Sequence, residues 1–265
     1  MELKVAGRDA YAYTGGKPFD PRLPPVAFIH GGEHDHSVWI LQSRYLAHHG
    51  FGVLAVDLPG HGRTGGAPLA RIEDMAEWIV AALDAAGVKS AALVGHSMGS
   101  LVALDCAARW PKRVQRIALL GAAFPMRVSP ELLEATKNDE PRAHDMINVW
   151  SHSAHAHYPS NPGPGFWVIG ENLRLMQRQR RGVLHADFAA CNEYTAGMER
   201  ARQIACPALF ILGRRDAMTP PRAARDLAAA IPRAKTVQLD ECGHNSMAEK
   251  PDEVLDILVE FLNAA

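Results

Sequence analysis

The feature that most constrains this chain is the pentapeptide Gly-His-Ser-Met-Gly at residues 95–99, which separates a strand pattern from a helix pattern. An apolar run at residues 91–94 precedes it, and apolar residues at helical spacing follow it from Leu101 onward. A sharp turn between a strand and a helix leaves no room for side chains beside its apex, and Gly95 and Gly99 remove that obstacle. The sequence therefore predicts a strand–turn–helix unit that presents the hydroxyl of Ser97.

Three other predicted strands end in residues that a reactive serine needs. A buried strand at residues 26–29 leads into a His-Gly-Gly turn, where Gly31 and Gly32 let the backbone approach a ligand closely. The strand at 208–212 is followed by Asp216, and the strand at 236–239 is followed by His244. Open α/β sheets bind their ligands at the carboxyl ends of the strands. We therefore expect Ser97 and these partners to meet at one edge of a sheet.

Five motifs occur in order along the chain. They are His-Gly-Gly at 30–32, Asp-Leu-Pro-Gly-His-Gly-Arg-Thr at 57–64, Gly-His-Ser-Met-Gly at 95–99, Gly-Arg-Arg-Asp at 213–216 and Gly-His at 243–244. With these motifs the sequence resembles the α/β-hydrolase superfamily, in particular its compact bacterial esterases and hydrolases with a helical cap. The resemblance covers nearly the whole chain. It implies an α/β fold with a mostly parallel central sheet, helices on both faces and an inserted helical cap.

The resemblance also implies a role for each residue of the motifs. Ser97 would be the nucleophile, His244 the base and Asp216 the group that orients the base. The backbone N–H groups of Gly32 and Met98 would form the oxyanion hole. A site of this kind hydrolyses esters through an acyl-enzyme. We therefore expect neither a cofactor nor a metal.

A second carboxylate competes with Asp216 for the acid position. Asp240 lies four residues before His244. The segment after the strand at 117–120 carries no carboxylate, and this removes another position at which the fold sometimes keeps its acid. The sequence therefore favours Asp216. Four further polar residues are interpreted as structural, not catalytic: His30, Asp57, His61 and His96.

Strand and helix patterns alternate through most of the chain. They begin with a hairpin from residues 3–5 and 11–13, continue with a strand at 52–56 beside the one at 26–29, and close with a helix after Pro251. The alternation fails between residues 124 and 202, where prolines and glycines cluster at 159–165. We therefore predict a hydrolase core from residues 1–123 and 203–265, with residues 124–202 forming a helical cap over Ser97.

Candidate substrate-binding residues come from the oxyanion turn and from the cap. We expect contacts from Gly31, His34, Phe124, Trp150 and Trp167, with Met146, Phe166 and Met176 as further candidates. Each apolar member could instead hold the cap to the core. Three histidines at 152, 155 and 157 raise the question of a metal. Their spacing lacks the helical pair of zinc hydrolases and no acidic ligand stands near, so we predict no metal site.

Bulk properties narrow the range of partners. The formal net charge is −1 and the pI is near 6.9, which gives no field that would attract nucleic acid or an anionic membrane. The four cysteines show no paired spacing, and no apolar run reaches the length of a membrane span. The first residues do not read as a signal peptide. We expect a cytoplasmic protein with a small-molecule ester substrate, and the sequence does not predict its oligomeric state.

Three functions remain open on the sequence. The first is a carboxylesterase-type serine hydrolase for small to medium, largely uncharged esters. The second is a C–C bond hydrolase or a cofactor-free oxygenase that uses the same residues, although no arginine can be assigned to a substrate carboxylate. The third is a non-catalytic ligand receptor. Dehalogenases and epoxide hydrolases of this fold need a carboxylate nucleophile, which a serine does not replace.

Overall fold

The structure is a computed structural model that describes residues 1–157 and 167–264, apart from the side chain of His157. The whole proline and glycine cluster at 159–165 and Phe166 therefore lie outside the described residues. Eight strands form one sheet. In chain order they are β1 (Glu2–Val5), β2 (Arg8–Tyr13), β3 (Pro25–Ile29), β4 (Gly52–Val56), β5 (Ala91–His96), β6 (Val114–Leu120), β7 (Ala208–Gly213) and β8 (Ala234–Leu239).

The strand order in the sheet is β1-β2-β4-β3-β5-β6-β7-β8. The hairpin of β1 and β2 is antiparallel, as predicted, and β2 also runs antiparallel to β4. All pairs from β4 to β8 are parallel. Every residue of β4, β5 and β7 is buried, as expected for parallel strands covered on both faces. The carboxyl ends of β3, β5, β7 and β8 therefore share one edge of the sheet.

Helices cover both faces of the sheet, as predicted. The helices in chain order are α1 (Ile40–His48), α2 (Ile72–Ala85), α3 (Met98–Arg109), α4 (Pro130–Asn138), α5 (Glu140–Ser151), α6 (Val168–Gln177), α7 (Val183–Glu193), α8 (Gly197–Gln203), α9 (Arg225–Ala229), α10 (Ser246–Glu249) and α11 (Pro251–Asn263). One apolar cluster joins the sheet to α2, α3 and α9. A second cluster joins the opposite face to α1, α10 and α11. None of the helices in the described ranges is long and apolar enough to cross a bilayer.

The chain between β6 and β7, here called the β6–β7 segment, carries helices α4 to α8, and its described residues form no strand. Helices α4 to α7 contribute to a separate apolar cluster that includes Leu132, Ile147 and Leu184. The last part of the segment packs differently. Ala201 of α8 belongs to the main cluster beneath the sheet, and Arg200 donates to the buried carboxylate of Asp105 at 3.1 Å. The segment is therefore anchored to the core at its carboxyl end.

Candidate functional site

Ser97 occupies the sharp turn between β5 and α3 with φ 52° and ψ −117°, a backbone conformation that residues other than glycine rarely adopt. The neighbouring glycines make this turn possible. A Cβ at Gly95 would lie 2.1 Å from the carbonyl oxygen of Gly99, and one at Gly99 would lie 2.3 Å from that of Ile29. Strained residues of this kind are held where the surrounding structure fixes them, and they cluster at functional sites. The strain marks Ser97 as the centre of the candidate active site.

His244 follows β8 and is held by two side chains from the loop after β7. Its Nδ1 lies 2.7 Å from Oδ2 of Asp216 and 2.9 Å from Oγ1 of Thr219. The Thr219 backbone N–H donates to the other oxygen of Asp216 at 2.7 Å. The N–H of His244 donates to the carbonyl of Ser151 in α5 at 2.7 Å. With Nδ1 engaged by the carboxylate, Nε2 is the ring nitrogen left to accept a proton.

The charge state of Asp216 suits this arrangement. Burial alone would raise the pKa of this carboxyl, but the charge and hydrogen bond of His244 and the hydrogen bonds from Thr219 outweigh burial, so the pKa lies below its ordinary value. Asp216 is therefore an anion next to the imidazole. The competing carboxylate is elsewhere: the side chain of Asp240 is 83% exposed and pairs with Arg214 at 2.7 Å.

A cavity of about 160 Å³ opens beside Ser97. Ser97 and His244 line it together with Gly32 and Met98, the two predicted oxyanion-hole residues. Met98 is the first residue of α3, where N–H groups have no acceptor within the helix. The rest of the lining is mostly apolar and comes from the β6–β7 segment and the loop after β7: Met126, Val128, Leu132, Trp150, Phe188, Cys191, Ala217 and Met218.

A smaller chamber of about 30 Å³ adjoins the same serine. It shares five residues with the larger cavity: Gly32, Ser97, Phe188, Met218 and His244. Five of its other seven residues have polar side chains, and Gly31 and His34 are among the seven. Three of the five predicted substrate-binding residues therefore lie at the site: Gly31 and His34 at the chamber, and Trp150 at the cavity.

The other two predicted substrate-binding residues are not in the described lining of either space. Phe124 packs edge-on against Tyr194, with ring centroids 6.1 Å apart, and its ring lies against Gly197 of α8. Trp167 is 68% exposed at the start of α6, and its ring lies against Gly170. Phe124 fills the seam between the segment and the core because the chain after β6 turns toward α8. The structure thus corrects the expectation for both aromatic residues.

The turn after β3 is held by side chains of the β6–β7 segment. The N–H of Glu33 donates to Oδ2 of Asp187 at 2.8 Å, and the Glu33 carboxyl lies 2.8 Å from Nε2 of His144. The same oxygen of Asp187 also lies 2.8 Å from Nε2 of His61. Further along the turn, Arg178 of the segment pairs with Asp35. The backbone that presents Gly32 is therefore fixed from the segment.

Glu33 and His144 form a buried acid–base pair. Burial raises the pKa of Glu33 to about 7, against the opposing effect of the hydrogen bond from His144. Burial would lower the pKa of His144, but the hydrogen bond and charge of Glu33 outweigh it and raise the pKa. The pair therefore holds a proton near neutral pH, next to the turn that carries Gly32.

One group of possible metal ligands occurs in the parts of the chain that the structure describes: Asp35, His36 and Asp57, whose ligand atoms lie within 4.8 Å of one another. These atoms already serve the fold, because Asp35 is paired with Arg178 and Asp57 accepts the N–H groups of His36 and Arg63. Of the three histidines considered above, His152 bonds to the carbonyl of Asn148, His155 pairs with Glu241, and the side chain of His157 lies outside the described residues.

Several site residues were missed by the sequence reasoning. Thr219 had a local signal, since a threonine three residues after an aspartate often closes a hydrogen-bonded turn. Asp187 and Glu33 had none, because they meet across 154 residues of chain. Arg127 is exposed and lines the cavity. The sequence alone had assigned no arginine to the pocket.

The comparisons with known proteins agree with this fold. The family model for the alpha/beta hydrolase fold matches residues 24–251. The chain is 30% identical over 227 residues to 2-hydroxymuconate semialdehyde hydrolase of Pseudomonas putida, covering 80% of this chain and 77% of that protein. It is 25% identical to bifunctional epoxide hydrolase 2 of Sus scrofa over 90% of this chain, but spans only 51% of that protein.

The solved structure of a thermophilic esterase superposes with a TM-score of 0.83 at 26% identity, covering 99% of this chain and 96% of the other. Likeness in sequence and in structure thus extends over the sheet, the helices and the loops that carry Ser97, Asp216 and His244. The chain belongs to the alpha/beta hydrolase fold family.

Proposed function

We propose that this protein is a serine hydrolase that cleaves carboxylic esters through an acyl-enzyme at Ser97. The observation that carries the proposal is the geometry around His244. Its Nδ1 is paired with the anionic Asp216 at 2.7 Å, while His244 and the strained Ser97 line one cavity. This combination of a serine at a cavity, an oriented imidazole and a buried carboxylate is what nucleophilic catalysis by serine requires.

The chemistry follows from these positions. Nε2 of His244 takes the proton of Ser97 as the hydroxyl oxygen attacks the ester carbonyl. Asp216 holds the Nδ1–H tautomer and stabilises the imidazolium that forms. The imidazolium then protonates the departing alcohol, and a water molecule activated by His244 hydrolyses the acyl-enzyme.

The oxyanion that forms during attack needs preorganised donors. We assign this role to the backbone N–H groups of Gly32 and Met98, both of which line the cavity beside Ser97. In comparable sites a single donor contributes roughly 100- to 1000-fold in rate. The hydrogen bond of the Glu33 N–H to Asp187 helps to fix the turn that carries Gly32.

The side chains of the β6–β7 segment restrict the size of the substrate group that fits beside Ser97. We propose that residues 124–202 act as a cap on a core of residues 1–123 and 203–265. Trp150, Leu132 and Phe188 of this cap supply apolar walls to a cavity of about 160 Å³. A dry cavity of about 150 Å³ is large enough to bind benzene. The favoured group in this cavity is therefore apolar and has about six heavy atoms.

Initial rates on p-nitrophenyl esters from acetate to dodecanoate test the proposal. We expect the highest kcat/KM near butanoate to hexanoate, because longer chains exceed the cavity. Ser97→Ala should reduce kcat by about 10⁴-fold or more. Its melting temperature should remain close to that of the wild type, which separates loss of chemistry from loss of fold. Absence of turnover across the panel by folded protein would refute the ester proposal.

A second candidate is hydrolysis of a C–C bond in an acidic dienone, and Arg127 is the observation that favours it. This arginine is exposed and lines the cavity, where it could pair with a substrate carboxylate. The Pseudomonas putida relative is named for a hydrolase of a semialdehyde acid. Turnover of a dienone acid that falls in Arg127→Met, with no turnover of neutral esters, would favour this candidate over the first.

A further inference from the structure

The small chamber beside Ser97 is lined by polar residues that have no role in the proposed ester hydrolysis. His34, His96 and Asn245 line it and are 5%, 1% and 3% exposed. In each residue one polar atom is buried and has no hydrogen-bond partner among the described residues: Nδ1 of His34, Nδ1 of His96 and Oδ1 of Asn245. Buried polar atoms are normally paired, so three such atoms around one chamber point to a ligand.

The hydrogen bonds of His96 fix its tautomer. Its Nε2 lies 3.1 Å from the carbonyl oxygen of His244. A carbonyl only accepts, so Nε2 carries the proton and donates it. Burial, and then the neighbouring His244, lower the pKa of His96 well below its ordinary value, so the ring is neutral. Nδ1 is therefore a bare acceptor.

The same reasoning applies to His34. Its Nε2 lies 2.9 Å from Oδ1 of Asn172. The orientation of that amide is fixed, because its Nδ2 donates to Oδ1 of Asn148 at 2.7 Å. Nε2 of His34 is thus the donor. Burial lowers the pKa of His34 to about 4, so Nδ1 is a bare acceptor at neutral pH.

Asn245 presents the third acceptor. Its Nδ2 donates to Oδ1 of Asn172 at 2.8 Å and lies 3.3 Å from Nε2 of His152. The latter nitrogen accepts, because Nδ1 of His152 donates to the carbonyl of Asn148 at 3.0 Å. A flipped amide would bring two acceptors together at Asn172. Oδ1 of Asn245 is therefore the free atom, and all three unpartnered atoms are acceptors.

Gly31 packs closely against the ring of His96 beside the serine. A Cβ at Gly31 would lie 2.8 Å from Nδ1 of His96 and 3.3 Å from Cβ of Ser97, so only glycine fits there. Because Ser97 itself lines the chamber, a group of one or two heavy atoms attached to the reacting ester could enter it. The chamber volume of about 30 Å³ is enough for such a group, since a water molecule needs at least about 10–15 Å³.

We infer that this chamber is a substrate subsite that binds a short hydroxyl-bearing group, through the acceptors of His34, His96 and Asn245. The inference rests on the proposed ester hydrolysis and adds its substrate class: esters with an apolar group on one side of the carbonyl and a hydroxylated short group on the other. The unpartnered side-chain atoms of these three residues are all acceptors, so they bind an O–H and reject a carboxylate, which has no hydrogen to donate.

Two pairs of esters test the inference, one for each side of the carbonyl. We would compare 2-hydroxyethyl hexanoate with propyl hexanoate, and hexyl hydroxyacetate with hexyl propanoate. Within each pair a hydroxyl replaces a methyl group of similar size. For the wild type we expect kcat/KM to favour the hydroxyl ester by about 10- to 100-fold in one pair, because its O–H satisfies an acceptor that the methyl group leaves unpaired.

Variants of the lining residues test whether the preference for the hydroxyl ester arises in the chamber. Asn245→Leu and His34→Phe should each bring the ratio within a pair close to one while the propyl or propanoate ester is still hydrolysed. Trp150→Leu is the matched control: it changes the apolar cavity, so it should alter the chain-length profile and leave the hydroxyl ratio as in the wild type. Thermal melts show whether each variant folds.

Failure of the subsite and failure of the proposed ester hydrolysis would give different results. Wild-type ratios near one in both pairs, with p-nitrophenyl esters hydrolysed, would overturn the subsite and leave a water molecule as the occupant of the chamber. Loss of turnover on every ester would refute the proposed function. In that case calorimetric titration of Ser97→Ala with 2-hydroxyethyl hexanoate and propyl hexanoate tests the subsite alone. Equal Kd values would overturn it.

Discussion

The two halves of the candidate site are held in different ways. In the acid–base half, formed by Asp216, Thr219 and His244, the side chains hold one another, and the partners lie 3 and 28 residues apart. In the oxyanion half, formed by the turn at residues 31–35, Glu33 is held by Asp187 and His144, which lie 154 and 111 residues away. Both halves stand at the same sheet edge.

The two halves therefore depend on the β6–β7 segment to different degrees. The side-chain network of the acid–base half sits in loops that directly follow β7 and β8, so the sheet positions it. The oxyanion half follows β3, but its backbone orientation depends on polar side chains of α5 and α7. Disturbing the segment should therefore damage the oxyanion half first.

The largest effect should come from the acid–base half. Asp216→Asn should lower kcat by about 10⁴-fold, because the amide favours the wrong imidazole tautomer and cannot stabilise the imidazolium. Asp240→Asn is the matched control and should remain close to wild type, since Asp240 is exposed and pairs with Arg214. Steady-state rates on one p-nitrophenyl ester suffice. A greater loss in Asp240→Asn would transfer the acid role to that residue.

The next effect should come from the oxyanion half. Asp187→Ala removes the acceptor of the buried Glu33 N–H and of His61, so the turn should shift and kcat should fall by about 100-fold. Unfolding free energy should fall by about 1–3 kcal/mol. Asp187→Asn keeps an acceptor oxygen, so it should retain most of the wild-type kcat and most of the unfolding free energy. Equal rates in the alanine variant and the wild type would show that the segment does not position this turn.

A smaller effect is expected within the acid–base half. Thr219→Val removes a hydroxyl that lies 2.7 Å from Asp216 and 3.0 Å from the carbonyl of Gly121. One lost hydrogen bond of this kind corresponds to about 5- to 10-fold in kcat. Thr219→Ser retains the hydroxyl and should behave like the wild type. If the serine variant is as slow as the valine variant, the methyl group of Thr219 matters, not its hydroxyl.

The smallest effect concerns pH and stability. The pKa of Glu33 is raised to about 7 and that of His144 is also raised, so the native protein keeps protons that the unfolded chain releases. The pair contributes its full stabilisation below the pKa values of the unfolded chain, about 4.3 for the carboxyl and 6.5 for the imidazole. This contribution is lost as the pH rises through the higher pKa values of the native state.

We therefore expect the free energy of unfolding to decline between about pH 5 and 8, and to decline less in Glu33→Gln. Urea melts at several pH values measure both slopes. Identical slopes in the two proteins would show that Glu33 titrates at its ordinary pKa.

Much of the fold could be predicted from local patterns. The strand–turn–helix around Ser97, the opening hairpin and the helix after Pro251 are where the apolar periodicity and the glycines indicated. The aromatic residues of the segment were harder. Trp150 lines the cavity but Trp167 is exposed, because nothing in the spacing of a helical segment specifies how its helices turn relative to the sheet.

Local patterns are sufficient for the α/β architecture and for the order of the polar residues at its strand ends, since apolar periodicity and glycine placement act over a few residues. Tertiary contacts alone bring Asp216 and not Asp240 to His244, and place Asp187 and His144 against Glu33. They also bring His34, His96 and Asn245, each with one unpartnered acceptor, to the lining of one chamber. Such contacts join residues far apart in the chain, and hydrogen-bond direction depends on the complete set of neighbours.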